Sequence, residues 1–307
     1  MASAPSAAST SRATAVGSVA IVLWASLALM ATGTRALPPF QTVAIAFALA
    51  FLFSLSKWLV RREHIAGHLR QPGAVWLVGV GGLFGYHFFY FQAFKAAPAV
   101  EVNLINYLWP LLIVLFSAML PGERLRWWHV AGAVLGLIGT LLLVTEGGRF
   151  SFRAEYTLGY ASALACAVTW SAYSVISRRF GAVPTDTVGG FCGATAVLAA
   201  LCHLLFERTV APSTGEWLVL LLMGAGPMGL AFFVWDVGMK RGNIKALGGL
   251  SYSAPLLSTL LLLLAGRARA TVELGLACLF IVGGAVLASR DLWAPRPVST
   301  PPSPHGG

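Results

Sequence analysis

The chain has 307 residues, of which 57% are hydrophobic and only 10% charged, with a formal net charge of +10. Soluble domains carry about 25% charged residues, so this balance excludes a soluble enzyme. Continuous apolar runs of about 20 residues also exclude a barrel of short alternating strands. The excess of Lys and Arg points to loops that set membrane topology, with no nucleic-acid partner.

The apolar runs predict an all-α polytopic membrane protein with ten transmembrane helices. They lie at roughly 14–34, 38–57, 74–94, 99–120 and 128–145, then 157–177, 186–206, 216–238, 244–265 and 271–289. The first residues, MASAPSAASTSR, are small and polar, and 1–13 reads as a cytoplasmic tail. The run that follows reads as a first transmembrane helix and not a cleaved signal peptide. The Pro- and Ser-rich end, 291–307, is expected to be a disordered cytoplasmic tail. With the N-terminus inside, fourteen Lys and Arg fall on the cytoplasmic side and seven outside, which places both termini in the cytoplasm. Cys166, Cys192, Cys202 and Cys278 lie in apolar runs without paired spacing. They read as buried small apolar residues and not as a disulfide or metal framework.

An internal repeat organises these spans. Spans three to five align without a gap with spans eight to ten at an offset of 145, matching Lys95 to Lys240, Tyr107 to Tyr252, Pro110 to Pro255 and Gly139 to Gly284. The first span fits the sixth at an offset of 146, matching Trp24 to Trp170 and Pro38 to Pro184. Five spans per half is an odd number, so the copies run in opposite directions. The chain reads as two inverted five-helix repeats, over 14–145 and 146–290, the architecture of many alternating-access carriers.

Two stretches in corresponding places point to a binding site. Pro110 follows Asn103-Leu104-Ile105-Asn106-Tyr107-Leu108-Trp109 in the fourth span, and Pro255 follows Ser251-Tyr252-Ser253-Ala254 in the ninth. Each proline lacks an N–H and crowds the carbonyl four residues back, so both are expected to loosen their helices and serve as hinges. Around them, the candidate substrate-binding residues are Trp24, Tyr86, His87, Tyr90, Asn106, Trp109, Trp170, Ser251 and Tyr252. Tyr86 and Tyr90 share a third-span face with Gly79, Gly82 and Ala93. A Tyr hydroxyl or Trp N–H at depth must find a partner, and a wet cavity supplies one. His87 flanks that face and is read either as a substrate contact or as a core histidine satisfied by a neighbour.

Other residues take plainer readings. Phe88, Phe89 and Phe91 read as an interfacial aromatic belt, and Asn103, Ser174 and Ser177 as helix packing. His203 reads as structural. Asp236 and Lys240 read as an i, i+4 pair, with a proton-coupling carboxylate as the alternative. Gly132 and Gly136 read as helix packing, with a homodimer contact as the alternative. Metal, phosphate-loop and catalytic-triad motifs are missing, so neither a cofactor nor an intramembrane enzyme is expected.

The two repeats resemble the EamA type of the drug/metabolite transporter superfamily. NYLWPLLIVLFSAMLPGERL at 106–125 and GYHFFYFQAF at 85–94 are similar to the bacterial aromatic amino acid exporters of that superfamily. The resemblance covers all ten spans. One departure is the turn Pro121-Gly122-Glu123, whose second-half equivalent is Ala265-Gly266-Arg267, without the acid. The resemblance implies a central cavity lined by spans one, three, four, six, eight and nine and braced by five and ten. It further implies a multi-pass protein of the bacterial inner membrane that exports aromatic, and other neutral, amino acids. The expected partners are therefore that small-molecule substrate and the lipid bilayer. A broad metabolite or drug exporter is the alternative, since aromatic cavities also accept lipophilic cations. A non-transporting scaffold is the reading from a different class.

Overall fold

The computed structural model describes residues 7–145, 153–266 and 271–293. Among the described residues, all regular secondary structure is helical. In chain order the long helices are α1 (Ala8–Ala31), α2 (Pro39–Val60), α3 (Gly73–Ala96), α4 (Ala99–Ser117), α5 (Trp127–Thr145), α6 (Thr157–Ser177), α7 (Thr187–Phe206), α8 (Thr214–Arg241), α9 (Ile244–Leu264) and α10 (Val272–Ala288). Among the described residues, eight of these are long and apolar enough to cross a membrane; α6 and the shorter α10 are not counted with them. Prolines precede or open α2, α3 and α4, where a missing N–H costs nothing. A capping box starts α8: Ser213 Oγ accepts from Glu216 N, and Glu216 accepts from Ser213 N at 2.8 Å.

Four helices are interrupted. The first breaks at Ser26, between segments Ala7–Ala25 and Leu27–Ala31. In α4 the break falls at Tyr107–Leu108, between Ala99–Asn106 and Trp109–Ser117, immediately ahead of Pro110. In α9 it falls at Tyr252, ahead of Pro255. The break in α8 is a wide π turn over Gly226–Leu230, built around Pro227. Proline explains three of the four, because each removes a donor from the helical ladder.

Both predicted tails are partly structured. Helix begins at Ala7, and Thr14, 3% exposed, accepts a bond from Asn243 N at 2.9 Å. At the other end a short helix, Arg290–Trp293, docks on α5: Asp291 accepts from Trp128 Nε1 at 3.1 Å and lies 2.9 Å from His129 Nε2. Residues 1–6 and 294–307 of those tails lie outside the described residues.

Helices meet where side chains are smallest. A Cβ built on Gly132 would lie 2.5 Å from the Gly284 carbonyl, so α5 and α10 touch backbone to backbone. The same holds for Gly17 of α1 and Gly238 of α8, at 2.7–2.8 Å. In the same way Gly136 is covered by the Tyr252 ring. The Gly132–Gly136 stripe is therefore used inside the chain and not as a contact between copies. Gly79 and Gly82 pack under the rings of Phe191 and Tyr173, which is helix contact and not cavity wall. Near one end of the bundle, Glu207 accepts from the backbone N–H groups of Phe40 and Gln41 at 3.0 and 3.1 Å and so caps α2. His203 bridges Glu207 and Thr209 at 2.9 Å each, a structural role.

Candidate functional site: a central aromatic cavity

A cavity of about 480 Å³ lies between α1, α3, α4, α6, α8 and α9, and α2, which was not among the expected lining spans, adds Pro39, Thr42 and Val43. Its mouth is at the α1–α2 connection, where Thr34, Arg35 and Leu37 line it. At its floor is a cluster of large rings. Trp24 sits 5.4 Å from its repeat mate Trp170, 6.4 Å from Trp109 and 5.9 Å from Phe232, all edge to face. Behind them Trp235 closes the floor, 5.1 Å from Trp24, with its N–H donated to Ser174 Oγ at 3.0 Å. Such edge-to-face contacts hold the rings in fixed orientations and leave their faces to a guest.

The helix breaks supply the polar positioning. The π turn widens α8 at Pro227, and the Trp24 indole N–H donates to the Pro227 carbonyl at 3.1 Å. Ser171 Oγ lies 2.9 Å from the Trp109 carbonyl and 2.7 Å from that of Ala167. Thus both floor tryptophans of the first half are tied to the second, Trp24 through its indole N–H to the Pro227 carbonyl and Trp109 through its carbonyl to the Ser171 hydroxyl.

One side wall is the α3 face. Tyr86 stacks on Tyr90 at 5.8 Å, and Tyr86 lies 5.7 Å from Trp170. His87 Nδ1 is 2.7 Å from the Leu83 carbonyl. A carbonyl can only accept, so Nδ1 carries the proton and Nε2 keeps its lone pair. Asn106, only 4% exposed, donates through Nδ2 to the Tyr86 hydroxyl at 3.3 Å; its Oδ1 is buried without a partner among the described residues. Within the lining the one formal charge is Arg35, at the mouth.

Of the sequence candidates, Trp24, Tyr86, His87, Tyr90, Asn106, Trp109 and Trp170 come together around the cavity, and Pro255 lines it as well. Pro110 is buried beside the break in α4, off the cavity, with its carbonyl toward Gly248. Ser251 and Tyr252 are also off the cavity. Ser251 is 1% exposed and spends its hydroxyl on the Leu247 carbonyl at 2.7 Å. Tyr252 is fully buried, and its hydroxyl accepts from Leu111 N at 3.2 Å. It therefore closes the break in α4 instead of facing solute.

Several lining residues were not singled out from the sequence. Asn103 and Phe91, read as packing and belt, both line the cavity, as do Tyr107, Met223, Met228 and Phe232. A Gly-Pro pair inside an apolar run was the available signal for the α8 residues. Asp236 and Lys240 do pair, at 2.9 Å, and are buried away from the cavity, with Thr185 donating to Asp236 at 2.7 Å and Lys240 donating to the Val183 carbonyl at 2.9 Å.

A polytopic helical membrane protein whose broken helices enclose an aromatic cavity is built as a solute carrier. The chain matches the EamA-like transporter family over residues 12–145 and again over 157–290, and it belongs to that family. It is 55% identical to the aromatic amino acid exporter YddG of Ancylobacter novellus, over 92% of this chain and 98% of that one. To the YddG of Escherichia coli it is 25% identical, over 90% and 96% respectively. A probable terminal-alkyne amino-acid exporter of Streptantibioticus cattleyicolor is 24% identical over 91% of this chain and 97% of its own. A crystal structure 55% identical in sequence superposes with a TM-score of 0.87, covering 91% of this chain and 98% of that one.

Proposed function

We propose that this protein is a secondary transporter of the bacterial inner membrane that exports aromatic, and other neutral, amino acids by alternating access. The observation that carries the reading is the cavity: a floor of Trp24, Trp109 and Trp170 and a wall of Tyr86 and Tyr90, with no charge deeper than Arg35. Such a site gains by burying an aromatic side chain and repels neither end of a zwitterion. His87 Nε2 offers a neutral acceptor to the ammonium group. The relatives named as exporters of amino acids support the same substrate class.

In this reading α1–α10 are ten spans in two inverted five-helix repeats, over 14–145 and 146–290, with both termini cytoplasmic. The matching breaks in α4 and α9 and the Lys/Arg distribution support it. With both termini cytoplasmic, the α1–α2 connection and the cavity mouth beside it lie on the outer face. Alternation comes from rocking of the two repeats about the breaks in α4 and α9 next to Pro110 and Pro255.

Uptake of labelled tryptophan, phenylalanine and a set of charged and non-aromatic solutes into proteoliposomes tests the reading. Saturable uptake of the aromatic amino acids, competed by other neutral ones, is expected. Movement of other solutes alone would leave the family assignment and overturn the substrate class.

A further inference from the structure

The bundle end opposite the cavity mouth is closed by a charge network that the cavity does not use. Glu123, in the connection between α4 and α5, accepts from Lys245 Nζ at 2.7 Å and lies 3.2 Å from Arg178 Nη2. Through Nη1, Arg178 donates to the carbonyls of Met239 at 3.1 Å and Gly242 at 2.7 Å. Lys245 also donates to the Arg124 carbonyl at 3.2 Å. One carboxylate from the first repeat therefore ties the ends of α6, α8 and α9 in the second. Its side chains are 19%, 28% and 9% exposed for Glu123, Arg178 and Lys245, so water screens them less than a surface pair.

Among the described residues, nothing equivalent stands at the mouth. By the offsets of the repeat, Arg178 corresponds to Thr32, Lys245 to Val100 and Glu123 to Ala268. Two inverted copies with identical ends would close equally well on both faces. Here one face carries an interlocked acid and two bases, and at the matching positions of the other face the acid and both bases are replaced.

We propose that Glu123, Arg178 and Lys245 form a latch that holds the cytoplasmic face shut, so that the empty carrier rests with its cavity open to the outside. To turn inward, the carrier must separate Glu123 from both bases. The latch rests on the alternating-access reading given above. Its test measures conformation without solute, so it stands or falls separately from the substrate class.

Thiol labelling in oriented membrane vesicles reads both faces. Ser177→Cys places a thiol in the closed crevice on the latch side, which Phe180, Val183 and Asp236 also line. Ala28→Cys places one in the cavity open to the mouth. Rates with a membrane-impermeant maleimide are taken over those of the parent with its four native cysteines. Adding Glu123→Gln is expected to speed labelling of Ser177→Cys from the cytoplasmic side about tenfold or more and to slow labelling of Ala28→Cys from the outside. Lys245→Gln should act in the same direction, and the double variant should add little to Glu123→Gln, because the residues act as one contact. Unchanged rates at both positions would overturn the latch. A rise at both positions would also overturn it, since the network would then support the fold and not one face.

Discussion

Removing one oxygen atom from Tyr252 tests how the break in α4 is tolerated. The second segment of α4 begins at Trp109, so the N–H groups of its first turn have no helical acceptor. Pro110 has no N–H, Leu112 N reaches the Leu108 carbonyl at 2.9 Å, and Leu111 N is left to the Tyr252 hydroxyl at 3.2 Å. Tyr252 is fully buried, and no water in a lipid interior can replace it. Tyr252→Phe keeps the ring against Gly136 and strands only the Leu111 donor. A buried donor without a partner costs about 1–3 kcal/mol, roughly a 5- to 160-fold shift in the unfolding equilibrium. The 3.2 Å separation places the expected loss toward the lower half of that range. Equilibrium unfolding in detergent, followed by intrinsic fluorescence, measures it. Tyr107→Phe is the control, because this repeat mate lines the cavity instead of capping a helix. A Tyr252→Phe protein within about 0.5 kcal/mol of wild type would refute the reasoning that this hydroxyl satisfies the break.

Overpacking should be costly where backbones touch. Gly132→Ala is expected to destabilise by about 1–3 kcal/mol or more, read in the same unfolding titration, because its new methyl would meet the Gly284 carbonyl at 2.5 Å. Glu207→Ala removes the cap from α2 and the partner of His203. It should lower stability by about 0.5–2 kcal/mol, with hydrogen exchange increased first at the amides of Phe40 and Gln41.

How much of this was legible in the sequence depends on what each residue touches. Helix positions followed from apolar length, and the breaks in α4 and α9 from Pro110 and Pro255, because proline acts on its own helix. The clustering of Trp24, Trp109 and Trp170 followed from large polar-tipped rings at a depth where lipid cannot satisfy them. Ser251 and Tyr252 were placed by analogy with Asn106 and Tyr107, and there the inference failed. Both belong to α9, but the Tyr252 hydroxyl is drawn into the gap of α4, a contact across 141 residues that no local pattern encodes. The repeat is thus reproduced in backbone and not in side-chain use. Phe232 was overlooked because the α8 break at Pro227, which turns that segment toward Trp24, was not anticipated. Arg35 is one of the seven Lys and Arg of the outer side, and its place at the mouth depends on how the α1–α2 connection folds back.

The central claim is that the aromatic floor and the Tyr86 wall are where the solute binds. Labelled-tryptophan uptake into proteoliposomes by wild type, Trp109→Ala and Tyr86→Ala, each verified as folded, tests it most directly. Saturable uptake by wild type that falls at least tenfold in both variants is the predicted result. Wild-type uptake that survives both substitutions with unchanged half-saturation would contradict the claim and place the solute elsewhere.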